Sequence, residues 1–330
     1  MEIIKIDVNN LTVQELQSLY EANCRIVEKY SFLKRHRGAE EYEVLFLGGF
    51  LGSSNELFAI KDDLSFCGIL SFVKSADWGG KERYELTIDL CDPIASKPLI
   101  ECLTKFIQEK LAEHGQIAIK TYNNELATLV EKLSCKIQLT ANTYILDKGD
   151  INANLLSKAA AELQAKNRDL RIAYVNANSD EYIKHYCDLF MELQNDMPDA
   201  AEEAFVHYEA SPDKQRQENE TRAKKNIAHN CYMIFNAENE AVAMSNVSVN
   251  NNDPRFPYQF MIGVTEPYRG RGLGRWMYAA MYKMLSEDVN FEKMFVHHHP
   301  TNIHAINISK WVGYKFGYLE TMYLVGTGPN

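Results

Sequence analysis

The sequence predicts an α/β protein built from two tandem halves. Three observations carry this: a chain of 330 residues, one order of strands and helices that runs twice along it, and an alanine-rich helix former between the runs. That length suits two compact domains. In the first half, Thr12 to Tyr30 has helical apolar spacing. Leu57 to Lys61 and Cys67 to Val73 alternate as strands around the turn Asp62–Ser65, and Tyr84 to Leu90 is a third strand. A helix from Lys97 to Leu111, a strand from Gln116 to Tyr122, a helix from Glu125 to Leu133 and a closing strand from Ile137 to Leu146 complete it. Ala153 to Lys166, bounded by Gly149 and by Asn167-Arg168-Asp169, is a strong helix former that reads as a linker.

The second half repeats the order. Leu170 to Val175 is a strand, and Glu181 to Gln194 and Pro212 to Ala228 are helices. Cys231 to Phe235 and Glu240 to Val249 form a hairpin around Asn236–Asn239. The apolar strand Tyr258 to Val264 leads through a turn into a helix over Trp276 to Ser286. A strand from Glu292 to His299, a helix after Asn302 and a strand pair near Tyr314 to Val325 follow. The expected boundaries are therefore 1–148, a helical linker 149–169, and 170–330.

The turn in that second half is the most specific signal. Arg269-Gly270-Arg271-Gly272-Leu273-Gly274-Arg275 places three glycines within five positions, between a strand and a helix. Glycines let the backbone bend tightly with its N–H groups outward, and a helix N-terminus adds a positive dipole end, so the turn is suited to a diphosphate. A Walker loop would need Lys-Ser or Lys-Thr after its glycines, and none follows. A dinucleotide fingerprint would need glycine at position 275, which is Arg275.

The remaining pattern, Arg-x-x-Gly-x-Gly after a strand ending in Val264 and a Pro267-Tyr268 turn, resembles motif A of the GNAT superfamily of acyl-CoA-dependent N-acyltransferases. Asn302, Ala305, Ser309 and Gly313-Tyr314, following the strand Glu292 to His299, resemble its motif B in order and spacing. The resemblance covers roughly Leu170 onward. It implies two tandem domains, each a mixed, mostly antiparallel central sheet flanked by helices, and acetyl-CoA as co-substrate. In such a domain Ile262, Gly263 and Val264 would lie along the pantetheine, with a backbone N–H meeting the thioester carbonyl. Arg269, Gly270, Arg271, Gly272, Leu273, Gly274 and Arg275 would hold the diphosphate, and Asn302 would contact the coenzyme or cap its helix.

The catalytic expectations follow from the same resemblance. Many family members carry a tyrosine four residues before the motif B glycine to protonate the leaving thiolate, whereas here that position is Ser309. Ser309 either bonds the thiolate, directly or through water, or is a packing serine. Strand Tyr258 to Val264 has no acid, so the general base would come from the acidic loop Asn195 to Glu203, with Glu202 as candidate, or act through a bound water. Within His297-His298-His299, alternation separates His298 from its neighbours. His298 is the candidate for a base or substrate contact, and a structural hydrogen bond is the other reading. Adjacent strand residues cannot converge on one ion, so no metal is expected.

Where the first half should carry its own motif A, Cys91–Leu99 holds no glycine, two prolines and Asp92. That half is expected to be degenerate and not to bind coenzyme. A formal net charge of −10 opposes a nucleic-acid footprint and favours a cationic partner. No apolar run approaches the ~20 residues of a membrane span. The start Met1–Asp7 lacks signal-peptide features, and seven scattered cysteines form no framework, so a cytoplasmic location is expected. The expected activity is N-acetyl transfer to a primary amine of a small molecule. A non-catalytic acyl-CoA sensor and a protein or peptide N-acetyltransferase are the alternatives, and either a monomer or a homodimer is expected.

Overall fold

In the computed structural model, which describes residues 1–29, 47, 55–62, 65–75, 83–92, 96–122, 126–133, 135–175, 179–197 and 210–326, the apolar alternation of each strand segregates onto two faces that helices cover. Two units result. The first comprises Met1–Thr140 with Tyr318–Asn330, and the second comprises Ala141–Ala201 with Phe205–Gly317.

The first unit contains β1 (Glu2–Ile6), α1 (Val13–Lys29), β2 (Glu56–Lys61), β3 (Phe66–Ser75), β4 (Arg83–Leu90), α2 (Lys97–His114), β5 (Gln116–Tyr122) and α3 (Ala127–Lys132). Its sheet runs β1-β2-β3-β4-β5 and is completed by β12 (Lys315–Gly326), whose residues Glu320–Gly326 pair antiparallel with β5. Leu103 and Ile107 of α2 pack on Leu86 and Ile119 on one face, and Leu19 and Ile26 of α1 pack with Ala59 and Ile69 on the other.

The second unit opens with the end of β6 (Lys136–Asp147), then α4 (Ala153–Lys166), β7 (Arg171–Val175), α5 (Asp180–Asn195), α6 (Pro212–Lys224), β8 (Ile227–Phe235) and β9 (Ala241–Asn250). After these come β10 (Tyr258–Val264), α7 (Leu273–Asp288), β11 (Lys293–His298) and α8 (Ile303–Val312). Its strand order is β6-β11-β10-β9-β8-β7. Tyr278, Tyr282 and Leu285 of α7 pack on Val247 and Val296, while Tyr186, Phe190 and Leu193 of α5 pack on Cys231, Met233, Met244 and Met261 across the sheet.

Several expectations are refined by these contacts. The strand pair near Tyr314 to Val325 is the single long strand β12. The closing strands are exchanged: Asn142–Asp147 of β6 pair with β11 in the second unit, and the end of β12 pairs with β5 in the first. Linear boundaries at 148 and 170 do not anticipate that exchange. The segment expected as a linker is α4, capped by Asn152 Oδ1 accepting from the Leu155 N–H at 3.0 Å, with Leu156 buried in the second unit's core. Helix α6 ends at Lys224, short of Ala228. Asn226 takes a left-handed φ of 55°, and its carbonyl accepts from the Asn251 N–H, which starts β8 earlier than its apolar run does.

Candidate functional site

Strand β10 hands over to α7 through Glu266–Tyr268, one 3₁₀ turn, and the glycine-rich turn. Gly270 and Gly272 have φ of 77° and 83°, which a side chain would strain. A Cβ at Gly272 would lie 2.6 Å from Leu163 Cδ2 of α4, and one at Gly274 2.8 Å from Ile308 Cδ1 of α8, so these glycines also let the helices close on the turn. At Gly270 the same test meets nothing within 4 Å, so the backbone there faces open space. Helix α7 is capped by Gly272, which offers no side chain, and the turn's first α-helical bond is from the Trp276 N–H to the Gly272 carbonyl at 3.1 Å. The preceding N–H groups have no intrahelical acceptor and suit an anion. This donor set fits the diphosphate of a coenzyme A thioester.

The three arginines do not act as one free basic patch. Arg269 pairs with Asp196 and donates from Nε to the Val264 carbonyl at 3.1 Å. Arg271 donates to Asp169 at 2.6 Å and to the buried Asn167 Oδ1 at 3.1 Å. Arg275 is exposed, its guanidinium 5.5 Å from the Trp311 ring centre. The positive charge of Arg269 and Arg271 is thus partly neutralised in place, and among the described residues no carboxylate pairs with Arg275.

Beside the turn the sheet opens. Among the described residues β10 and β11 pair in parallel at one register position, Tyr258 with Phe295. A bulge between Gln259 and Met261 bends β10 at the same point. Two buried amides hold it: Asn246 Oδ1 accepts from the Met261 N–H at 2.8 Å, and Gln259 Nε2 donates to the Asn246 and Met261 carbonyls at 2.8 and 2.7 Å. Gln259 Oε1 accepts from the Tyr282 hydroxyl at 3.2 Å, so the 2.7 Å contact between Tyr314 and Tyr282 has Tyr314 as donor. Ile262, Gly263 and Val264, downstream of the bulge, are part-exposed. A Cβ at Gly263 would meet Leu193 at 2.7 Å.

Ser309 and His298, expected separately, meet: His298 Nε2 lies 2.8 Å from Ser309 Oγ. Tyr278 Oη lies 3.1 Å from the same oxygen. Ser309 is 0% and His298 6% exposed, so His298 is buried against Ser309 of α8, which agrees with its structural hydrogen-bond reading. Burial pushes His298 down to about 4, with His297 adding to the shift, so the imidazole is neutral at pH 7. Burial also pushes the Tyr278 phenol up to about 12 despite its bond to Ser309. His297 takes the other face, its Nδ1 2.7 Å from Thr143 Oγ1. Asn302 caps α8 by accepting from the Ala305 N–H at 3.2 Å. Glu202 lies outside the described residues.

The sequence reading missed a second polar group, on the α5 face. His229 lies 3.3 Å from both the Tyr186 hydroxyl and Ser248 Oγ, and Asn246 Nδ2 donates to Tyr186 at 3.0 Å. Burial, helped by Arg222, holds His229 down at about 3, and burial holds the Tyr186 phenol far above its ordinary range. The available signal was polar residues recurring within apolar strands: His229, Asn246, Ser248 and Gln259.

Residues 191–314 match the family model described as the acetyltransferase (GNAT) family. Over those residues the chain is similar to GNAT acetyltransferases. The match runs from the last residues of α5 to just past α8, including the turn, the opened strands and the Ser309 helix. Among solved structures, the chain is similar to a tandem GNAT protein from the clavulanic acid biosynthesis pathway, in a structure without AcCoA. The TM-score is 0.65 at 12% identity, over 100% of this chain and 99% of that one. A GCN5-related N-acetyltransferase from Sphaerobacter thermophilus gives 0.65 at 10% identity, over 99% and 96%. A GCN5-related glucosamine N-acetyltransferase region of a fungal multi-domain GH3 β-N-acetylglucosaminidase gives 0.61 at 11%, over 98% of this chain and 38% of that one. No curated protein matches significantly. The fold is therefore that of tandem GNAT proteins, and a GNAT fold supports acyl transfer. Among the described residues no helix is long and apolar enough to cross a membrane, and no three His, Cys, Asp or Glu side chains cluster as metal ligands.

Proposed function

We propose that this protein transfers an acetyl group from acetyl-CoA to a primary amine of a small molecule, by direct attack of the amine on the thioester. The observation that carries the proposal is the open β10–β11 seam running into the N-terminus of α7, which has no side-chain cap. The turn amides from Gly270 to Arg275 would bind the diphosphate, and Arg275 would add charge at its exposed side. Backbone groups of Ile262 to Val264 would align the acyl chain, and an N–H aimed at the thioester oxygen would stabilise charge developing there. The amine nitrogen bonds the carbonyl carbon, the carbon–sulfur bond breaks, one amine proton leaves to a base and the thiolate takes a proton.

Ser309 would donate toward the thiolate, with His298 and Tyr278 as its neutral partners. His298 would hold the hydroxyl in place rather than act as base, because it is buried away from the α5 face. Glu202 remains the proposed base, directly or through water. A small amine acceptor is supported by the net charge of −10 and by a neighbour of the same fold that is a glucosamine N-acetyltransferase region. The degenerate role of the first half and cytoplasmic residence belong to the same proposal.

The test is release of free thiol from acetyl-CoA with a panel of small amines and peptides, with products identified by mass. Acetylated small amines, and slower turnover in Ser309→Ala, support the proposal. Tight acetyl-CoA binding without turnover would make the protein a sensor, and turnover confined to peptides would make it a protein acetyltransferase.

A further inference from the structure

Away from the turn and the opened seam, the second unit has a pocket of about 440 Å³ at its β7–β8 edge, facing the C-terminal end of α7. Tyr174 and Tyr232 form two of its walls. Their ring centres are 5.3 Å apart and their planes are inclined at 68°, so they make a corner rather than a stack. Asn230 Oδ1 accepts from the Tyr174 hydroxyl at 2.8 Å and fixes that ring although Tyr174 is 54% exposed. Across from the rings, α7 contributes Met284 and Asp288 to the lining. The neighbouring Glu287 is engaged by Lys283 at 3.7 Å, whereas among the described residues no ion pair engages Asp288. The Asp288 charge is felt at both phenols and adds to the burial that raises them.

Two inclined aromatic faces, a thioether and one unshared carboxylate are poor ligands for a bare metal ion, which needs several oxygen or nitrogen donors. They suit a weakly hydrated cation with apolar substituents, attracted to the ring faces and to the carboxylate together. We propose that this pocket binds the tertiary or quaternary alkylammonium head group of a small organic cation. A quaternary nitrogen cannot be acylated, so this ligand is distinct from the amine acceptor and the site is independent of the transfer reaction.

The experiment is calorimetric titration of the full chain with choline, and in parallel with 3,3-dimethylbutan-1-ol, its uncharged isostere. Choline is expected to bind saturably and the isostere roughly tenfold more weakly. Asp288→Asn and Tyr174→Leu, both at exposed side chains, are expected to weaken choline binding by about tenfold each while the melting temperature is retained. No saturable choline binding, equal binding of the isostere, or unchanged affinity in either variant would overturn the assignment.

Discussion

Two strand-to-helix junctions, β4 to α2 in the first unit and β10 to α7 in the second, occupy equivalent places in the repeated order and differ in what they leave open. At the first, β4 and β5 stay zipped in parallel through three consecutive pairs, Glu85–Ala118, Leu86–Ile119 and Thr87–Lys120. Helix α2 is capped by Ser96, whose Oγ accepts from the Leu99 N–H at 3.4 Å, and Pro98 removes another donor in its first turn. At the second, β10 leaves β11 after one pair, and Gly272 caps α7 with no side chain. One helix start has a side-chain cap, and the other has none, which leaves its first N–H groups available to an anion.

The contrast predicts a single acetyl-CoA site per chain by calorimetry, lost on Gly272→Glu. The new carboxylate would sit at the α7 N-terminus and its Cβ would press on Leu163, so affinity is expected to fall roughly hundredfold or more. Two sites in the parent protein, or an unaffected variant, would erase the distinction between the junctions.

Acid should weaken the second unit next. His298 and His229 are held at about 4 and about 3 against an ordinary 6.5. Each therefore binds fewer protons folded than unfolded. Their contribution is complete above pH 6.5 and is lost as pH falls through the window down to the folded values, by on the order of 1 kcal/mol per pH unit for each histidine. Denaturant unfolding between pH 7 and 4 is expected to show this decline, and His298→Asn to make it shallower. A decline unchanged by that variant would place its source elsewhere.

Gln259→Leu tests the bulge. It leaves the buried Asn246 and Met261 carbonyls without that donor and should cost about 1–3 kcal/mol. Acetyl-CoA affinity should drop with stability, because the bulge aims Ile262 to Val264. Unaltered affinity in a destabilised variant would show that the seam stays open without its amide brace. The smallest effect is expected at Ser96→Ala, which should cost about 1 kcal/mol with no change in acetyl-CoA binding. A gain of a second binding site there would mean the hydroxyl alone had kept the first junction closed.

Most elements and the motif A turn were legible because both rest on local pattern, whereas β1, an edge strand paired with β2, was not anticipated. The helix after the turn follows from the helical spacing of Trp276 to Ser286, although α7 starts earlier, at Leu273, and β10 follows from its apolar run. The edges were less legible where a single backbone choice decided them, as at Asn226, whose left-handed φ ends α6 and lets β8 begin at Ile227. Ser309 and His298 were each singled out, but only packing brought them to 2.8 Å, and packing also turned His298 inward and gave its strand neighbour His297 the opposite face.

By itself, then, the sequence determined the repeated α/β order, the glycine turn at a helix start and the absence of that turn from the first half, since strand period, helix period and glycine conformation act over a few residues. Tertiary structure alone decided the exchange of β6 and β12, the pairing of Arg269 and Arg271 with Asp196 and Asp169, and the amide brace of Asn246 and Gln259. Those depend on partners between 13 and roughly 200 positions apart in the chain. Burial and hydrogen bonding select such partners only once the sheets have formed.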